Sequence, residues 1–155
     1  MEVERKYLVN NLPDNLGSYP HVEIEQGYLC TSPTLRIRRI GDECILTVKE
    51  RVVTASTAIH NREEEFNLSR ESYDSLVPKC GGIFVRKTRY FIPMTTGFTA
   101  ELDIFHGVHD GLRMVEVEFP GSVAADGFVP PSWFGPEVSS DHRYRNSWLA
   151  FNKLT

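Results

Sequence analysis

Charged residues of one sign set two apart recur along this chain, and this spacing is its strongest constraint on fold. Glu2-x-Glu4-x-Lys6 begins the series. Arg36-x-Arg38, Glu63-x-Glu65, Lys87-x-Arg89, Glu101-x-Asp103 and Glu116-x-Glu118 follow, and Lys49 ends a further run. Residues two apart in a strand point to the same side, so each pair places like charges side by side. On an ordinary solvated face such neighbours repel and weaken a sheet. One pair is compatible with a strand whose polar face simply meets water. Six pairs on six runs are not, since an unselected face mixes signs and uses more Thr, Ser and Gln.

The residues between the charges are apolar. Val115, Val117 and Phe119 alternate with Glu116 and Glu118; Leu102 and Ile104 with Glu101 and Asp103; Leu35 and Ile37 with Arg36 and Arg38. This period-two rhythm predicts strands over Glu2–Val9, Val22–Leu29, Thr34–Ile40, Glu43–Lys49, Arg62–Leu68, Ile83–Ile92, Thr99–Phe105 and Arg113–Phe119. Gly41-Asp42 reads as a tight hairpin, and Thr95-Thr96-Gly97 and Gly107–Gly111 as further hairpin loops. Thr31-Ser32-Pro33 interrupts another pair of strands. A helix is expected after Ser69, stopped by Pro78 and Gly81, and a second over Asp141–Lys153. Gly121–Pro136, rich in Gly, Pro and Ala, reads as a loop with one short helical turn. The expected fold is mainly β: one domain over residues 1–155, a closed eight-stranded antiparallel barrel with a few flanking helices. Closure removes the sheet edges, and eight strands leave room for side chains or one small ligand.

If the apolar faces pack outward against helices and loops, the charges point into the barrel and must be neutralised there. Basic pairs call for an anion and acidic pairs for a cation. A polyphosphate with a divalent metal satisfies both. Arg gives bidentate bonds to phosphate oxygens, Lys a point charge, and carboxylates suit Mg²⁺ or Mn²⁺. Glu23 and Glu25 share the spacing and are compatible with either face. In Glu63-Glu64-Glu65 a strand cannot aim all three acids inward, and a one-residue slip would select Glu64.

Other chemistries find little support. Net charge is −4 over 155 residues, which does not point to nucleic acid. No apolar run reaches the roughly 20 residues of a membrane helix, and the acidic N-terminus lacks the plan of a secretory signal, so a cytoplasmic location is expected. Cys30, Cys44 and Cys80 have no C-x-x-C spacing and read as small apolar residues. The five histidines show no metal-ligand spacing, and His106 and His109, in a hairpin loop, read as solvated. No nucleotide loop or G-x-S-x-G elbow is present.

The ordered blocks resemble one family. Met1-Glu2-Val3-Glu4-Arg5-Lys6-Tyr7-Leu8-Val9 is similar to the E-x-E-x-K opening of the CYTH superfamily, the triphosphate tunnel metalloenzymes. Gln26-Gly27-Tyr28-Leu29, Leu35–Arg38, Leu46–Lys49, Lys87–Tyr90, Glu101–Phe105, Glu116-Val117-Glu118 and Asp141–Asn146 resemble later blocks in family order. The resemblance implies hydrolysis of the terminal phosphoanhydride of tripolyphosphate, extending to nucleoside triphosphates. Lys6, Arg36, Arg38, Lys49, Lys87, Arg89 and Arg143 match phosphate-gripping positions. Glu2, Glu4, Glu101, Asp103, Glu116 and Glu118 match metal-facing acids. Glu63, Glu65 and Asp103 are candidates to orient the attacking water, directly or through a second metal, with Lys6 among the catalytic set. Crowded carboxylates have raised pKa values until metal binds, so an alkaline optimum is expected. The family also contains adenylyl cyclases, which tend to carry extra sequence before E-x-E-x-K, and thiamine triphosphatases, which are usually longer. A non-catalytic polyphosphate-binding module is the alternative outside enzymes; it would need the basic wall more than the acids. A monomer or a homodimer is compatible with the sequence.

Overall fold

In the computed structural model, residues 2–55 and 57–154 are described, the side chain of Glu2 excepted. The strands are β1 (Glu2–Val9), β2 (His21–Thr31), β3 (Thr34–Ile40), β4 (Glu43–Val52), β5 (Ile59–Leu68), β6 (Gly81–Pro93), β7 (Thr99–Phe105), β8 (Arg113–Phe119) and β9 (Phe134–Glu137). Helix α1 spans Arg70–Leu76, α2 Ser122–Asp126 and α3 Asn146–Leu149. The alternating runs account for the first eight strands. Their expected limits fall short mainly at the ends, where β2, β4, β5 and β6 extend past the clearest alternation.

The strands pair antiparallel in the order β5-β4-β3-β2-β6-β7-β8-β1, and β1 returns to β5. The ring is thus an eight-stranded closed barrel. Closure is short: Glu2, Val3 and Glu4 of β1 pair with Asn61, His60 and Ile59 of β5. Farther along, the same edge of β1 pairs with β9 at Tyr7 and Val9. Strand β9 lies in the segment expected to be a loop. Its Gly-Pro content hides it, and it is held by tertiary contacts: Asn10 Nδ2 donates to the Phe134 carbonyl at 2.9 Å, and Phe134 lies 5.0 Å from the Tyr7 ring.

Turn chemistry sets the register. Ile40 pairs with Glu43 across Gly41-Asp42, and Gly41 has φ 56°, the first-position glycine that a tight two-residue hairpin favours. Ser69 caps α1 by accepting from the Ser72 amide at 3.1 Å. Tyr73 on α1 packs under Ile37 and Cys44 on the outside of β3 and β4. The outer faces of β1, β7 and β8 supply Val3, Tyr7, Leu102, Val115, Val117 and Phe119 to a second cluster with Ala125, Phe128 and Phe134. The hydrophobic core therefore lies outside the barrel wall, leaving the interior to polar side chains.

The helix expected over Asp141–Lys153 is broken. His142–Tyr144 forms a 3-10 turn, Arg145 is extended at φ −76° and ψ 137°, and α3 is one turn. Its end docks where Ile83 N donates to the Ala150 carbonyl at 2.8 Å. His109, expected to be solvated, is 5% exposed and donates through Nε2 to the Leu149 carbonyl at 2.7 Å. Gly82 at this junction has φ 63°, and a Cβ there would collide with the Ala150 carbonyl. Gly82→Ala is expected to destabilise the protein by about 1–3 kcal/mol. An unchanged thermal midpoint would show that the junction relaxes freely.

Candidate active site

The barrel encloses a cavity of about 860 Å³, within the usual range for small-molecule sites of about 300–1,000 Å³. Its wall carries Glu4 and Lys6 from β1, Arg36 and Arg38 from β3, and Lys49 and Arg51 from β4. Glu63 and Glu65 come from β5, Lys87 and Arg89 from β6, Glu101 from β7, and Glu116 and Glu118 from β8. Glu64 is exposed and does not line it. Nor do Glu23 and Glu25, which belong to a shallow outer groove. For Glu2 only the backbone in β1 is described; its side chain lies outside the described residues.

Strand register sorts these charges around the ring. Glu4 pairs with Glu118, Lys6 with Glu116, and Glu101 with Glu116, so acids concentrate where β7, β8 and β1 adjoin. Arg36 and Arg38 stand on the opposite arc, beside Lys49 on β4, with Lys87 and Arg89 on β6. Cations and anions meet at the seams. Lys6 Nζ lies 3.2 Å from Glu116 and donates to the Tyr144 carbonyl at 2.9 Å. Glu63 lies 3.6 Å from Lys49 and 3.8 Å from Arg36.

Asp103 has a different place from its neighbours in sequence. It is 1% exposed and absent from the cavity wall. Its two oxygens accept from Arg89 Nε at 2.8 Å and Arg89 Nη2 at 2.9 Å, and Lys87 Nζ lies 2.7 Å away. The carboxylate is a foundation under two cations. Lys87 also donates to Asn146 Oδ1 at 2.9 Å, so the one-turn helix α3 reaches the site. Arg89 makes a second ion pair with Glu101 at 2.8 Å.

Burial tunes these groups. Lys87 is pushed down to about 7, because burial strips the ammonium of water; Asp103 opposes the shift, and Arg89 and Arg38 add to it. Arg38 falls to about 9 through burial and the neighbouring Arg36 and Arg89. Glu101 is raised, by burial first, with Arg89 opposing. In Glu116 burial disfavours ionisation, but Lys6, Arg89 and Lys87 outweigh it and hold the carboxyl well below the usual range. The expectation of raised carboxylates thus fits Glu101 and not Glu116.

Four further residues depart from the sequence reading. Arg143 does not reach the cavity: its side chain is 54% exposed and is bound by Asp141 through Nε at 3.1 Å and Nη2 at 2.7 Å. Arg145, two residues on, lines the cavity instead, with Asn146 and Ser147. The break at Arg145 exchanges the two side chains, and no local signal marks which one turns in. Arg51 also lines the cavity, and Lys49-x-Arg51 repeats the same-sign spacing, so that residue was legible. Gln26 was not: it is neutral, fully buried, and accepts from Arg38 Nε at 2.8 Å.

Carboxylates supply oxygen donors, which suit a hard divalent cation. Among the described residues, no three acidic, His or Cys side chains converge into a ready-made ion site.

Comparison with known proteins gives a consistent picture. The family model described as CYTH domain matches residues 1–128. An inorganic triphosphatase from Nitrosomonas europaea is 40% identical over 155 residues, 97% of each chain. Another inorganic triphosphatase, from Acetivibrio thermocellus, is 35% identical over 155 residues, covering 97% of this chain and 94% of its own. A crystal structure of an inorganic triphosphatase superposes with a TM-score of 0.72 at 38% identity, covering 100% of this chain and 97% of that one.

Proposed function

The chain belongs to the CYTH domain family, and from that premise we propose that it is a metal-dependent hydrolase of triphosphates, with inorganic tripolyphosphate as substrate and nucleoside triphosphates as secondary ones. The observation that carries this reading is the charge-sorted barrel interior, with cations on β3 and β4 across from acids on β7, β8 and β1, and Lys87 and Arg89 on β6 beside β7. Two relatives above 30% identity over nearly the full chain are named inorganic triphosphatases, which supports the choice of substrate. Among the described residues no helix is long and apolar enough to cross a membrane; a cytoplasmic location is part of the same proposal.

Lys6, Arg36, Arg38, Lys49, Lys87 and Arg89 grip the phosphate oxygens, and Arg145 takes the place at the wall that the sequence assigned to Arg143. These cations hold the chain in line and stabilise charge that develops on the leaving phosphate. Glu4, Glu101, Glu116 and Glu118, with Glu2, hold Mg²⁺ or Mn²⁺. When bound, the ion neutralises phosphate oxygens and polarises the anhydride. Glu63 or Glu65, on β5 beside β1, accepts the proton of the attacking water. Asp103 acts from below by fixing Lys87 and Arg89, rather than as an ion ligand.

The test is an assay panel of tripolyphosphate, pyrophosphate, ATP and thiamine triphosphate with Mg²⁺, Mn²⁺ or EDTA. Phosphate release from tripolyphosphate, abolished by EDTA, is expected. Cyclic AMP formed from ATP without phosphate release would make the chain a cyclase. Faster turnover of thiamine triphosphate would reassign the substrate. Tight tripolyphosphate binding with no turnover of any compound would make it a binding module.

Lys87 gives a second test. Its folded value, about 7, lies below the ordinary 10.5, so between those values the folded protein holds fewer protons than the unfolded chain. Stability from this group therefore rises with pH across that window. A bound polyanion restores the charge. Tripolyphosphate binding near pH 8 in EDTA is expected to draw a proton onto Lys87, read as a dependence of binding heat on the buffer's ionisation enthalpy. Lys87→Met should take up fewer protons than the wild type; equal uptake would assign the proton elsewhere.

A further inference from the structure

We infer that Gln26 is the positioning residue that aims Arg38 at phosphate while leaving its charge unspent, an inference that rests on the phosphate-binding reading of the cavity. The cavity cations on either side of Arg38 are tied to carboxylates: Arg36 to Glu63 at 3.8 Å, and Arg89 to Asp103 at 2.8 Å. Among the described residues Arg38 has no such ion pair. Its Nε donates instead to Gln26 Oε1 at 2.8 Å, directly across the β2–β3 register.

The orientation of the carboxamide is fixed from both ends. Arg38 Nε–H can only donate, so the amide oxygen must face it. The amide nitrogen is then turned along β2 and donates to the Tyr28 hydroxyl oxygen at 2.8 Å. Gln26 is 0% exposed, so both bonds form where an unmet polar group costs most. With Nε occupied, the guanidinium plane is set, and its two terminal nitrogens are left for a ligand in the cavity that Arg38 lines. Four N–H groups remain on that side, the set that grips phosphate oxygens in pairs.

The neutrality of the residue is the point of the device. A glutamate at position 26 would reach Nε equally well and would stabilise the buried guanidinium more strongly. It would also cancel the charge that attracts the anion. Burial and the adjacent Arg36 and Arg89 already disfavour the charged form of Arg38. The neutral amide leaves that unfavourable field in place, to be relieved when a polyanion enters.

Calorimetric titration with tripolyphosphate in EDTA tests this on the full chain and four variants: Gln26→Leu, Gln26→Glu, Arg38→Ala and Gln26→Leu with Arg38→Ala. Gln26→Leu and Gln26→Glu should each weaken binding at least about tenfold, the scale of one lost or neutralised charge-assisted bond. Gln26→Glu keeps the hydrogen bond and guards against a simple folding defect. In the Arg38→Ala background, Gln26→Leu should cost nothing further, since its effect runs through Arg38. With Mg²⁺ and turnover, Gln26→Leu should lower kcat/KM, and in the Arg38→Ala background it should leave the remaining kcat/KM unchanged, a coupling that a merely structural role would not produce. Wild-type affinity in both Gln26 variants, or an equal penalty in the Arg38→Ala background, overturns the assignment. A wild-type chain that does not bind tripolyphosphate overturns the parent reading and this one together, a result distinct from normal binding by the variants.

Discussion

At about pH 6, below the value of about 7 that burial gives Lys87, Asp103→Ala should lower the unfolding free energy by about 3–5 kcal/mol, and it should abolish turnover. The carboxylate is buried and neutralises two buried cations, Lys87 at 2.7 Å and Arg89 at 2.8 Å. Removing it leaves Lys87 and most of Arg89 without their nearest counter-charge, and the cost of breaking such a pair falls in that range. For a chain of this size the thermal midpoint should fall by roughly 10 °C. Glu101 still holds Arg89 at 2.8 Å, so Lys87 is the group most exposed to the loss. Asp103→Asn keeps the shape and part of the hydrogen bonding and should cost less stability. A role as an ion ligand alone predicts a different pattern: relief of repulsion among the acids, with stability unchanged or improved. A melting curve of Asp103→Ala that overlays the wild type would therefore return the residue to the ion site.

The second large effect is on rate alone. Arg38→Ala and Glu4→Gln should each reduce tripolyphosphate turnover by about a hundredfold or more, the usual scale for removing one preorganised charge from a transition state. Fold should survive both changes. Arg38 carries an unfavourable desolvation that its removal relieves. Glu4 pairs across the sheet with Glu118, a like-charged neighbour. The two variants should differ in what rescues them. Raised Mg²⁺ should partly restore Glu4→Gln, because an ion site that has lost a donor can still fill by mass action. It should not restore Arg38→Ala, whose loss is on the phosphate side. A rescue pattern with the two reversed would exchange the walls assigned to metal and to phosphate.

The same two walls show how far sequence carries. Arg36, Arg38, Glu63, Glu65, Lys87, Arg89, Glu116 and Glu118 are placed by period two alone. A strand forces residues two apart to one side, and the apolar residues between them fix which side is the core. Those two facts determine the strands, their faces and the charged interior before any contact is known. His109, Gln26 and β9 escape this logic. His109 sits in a loop whose composition reads as solvated, and it becomes buried only because α3 packs over it. Gln26 carries no charge and so leaves no trace in a charge pattern.

Local sequence determined that this chain makes eight strands with one face charged. Only the closed ring decided how those faces meet. Which acids neighbour which bases depends on barrel shear, a property of the whole sheet: Asp103 is two residues from Glu101 on the same strand, yet one lies beneath the cations and the other lines the cavity. The exchange of Arg143 for Arg145 has the same origin. It is set by one extended residue at the start of α3, where docking of α3 against β6 overrides the helical preference of arginine. Position along a strand is written in the chain, whereas depth and partner are set by what closes around it.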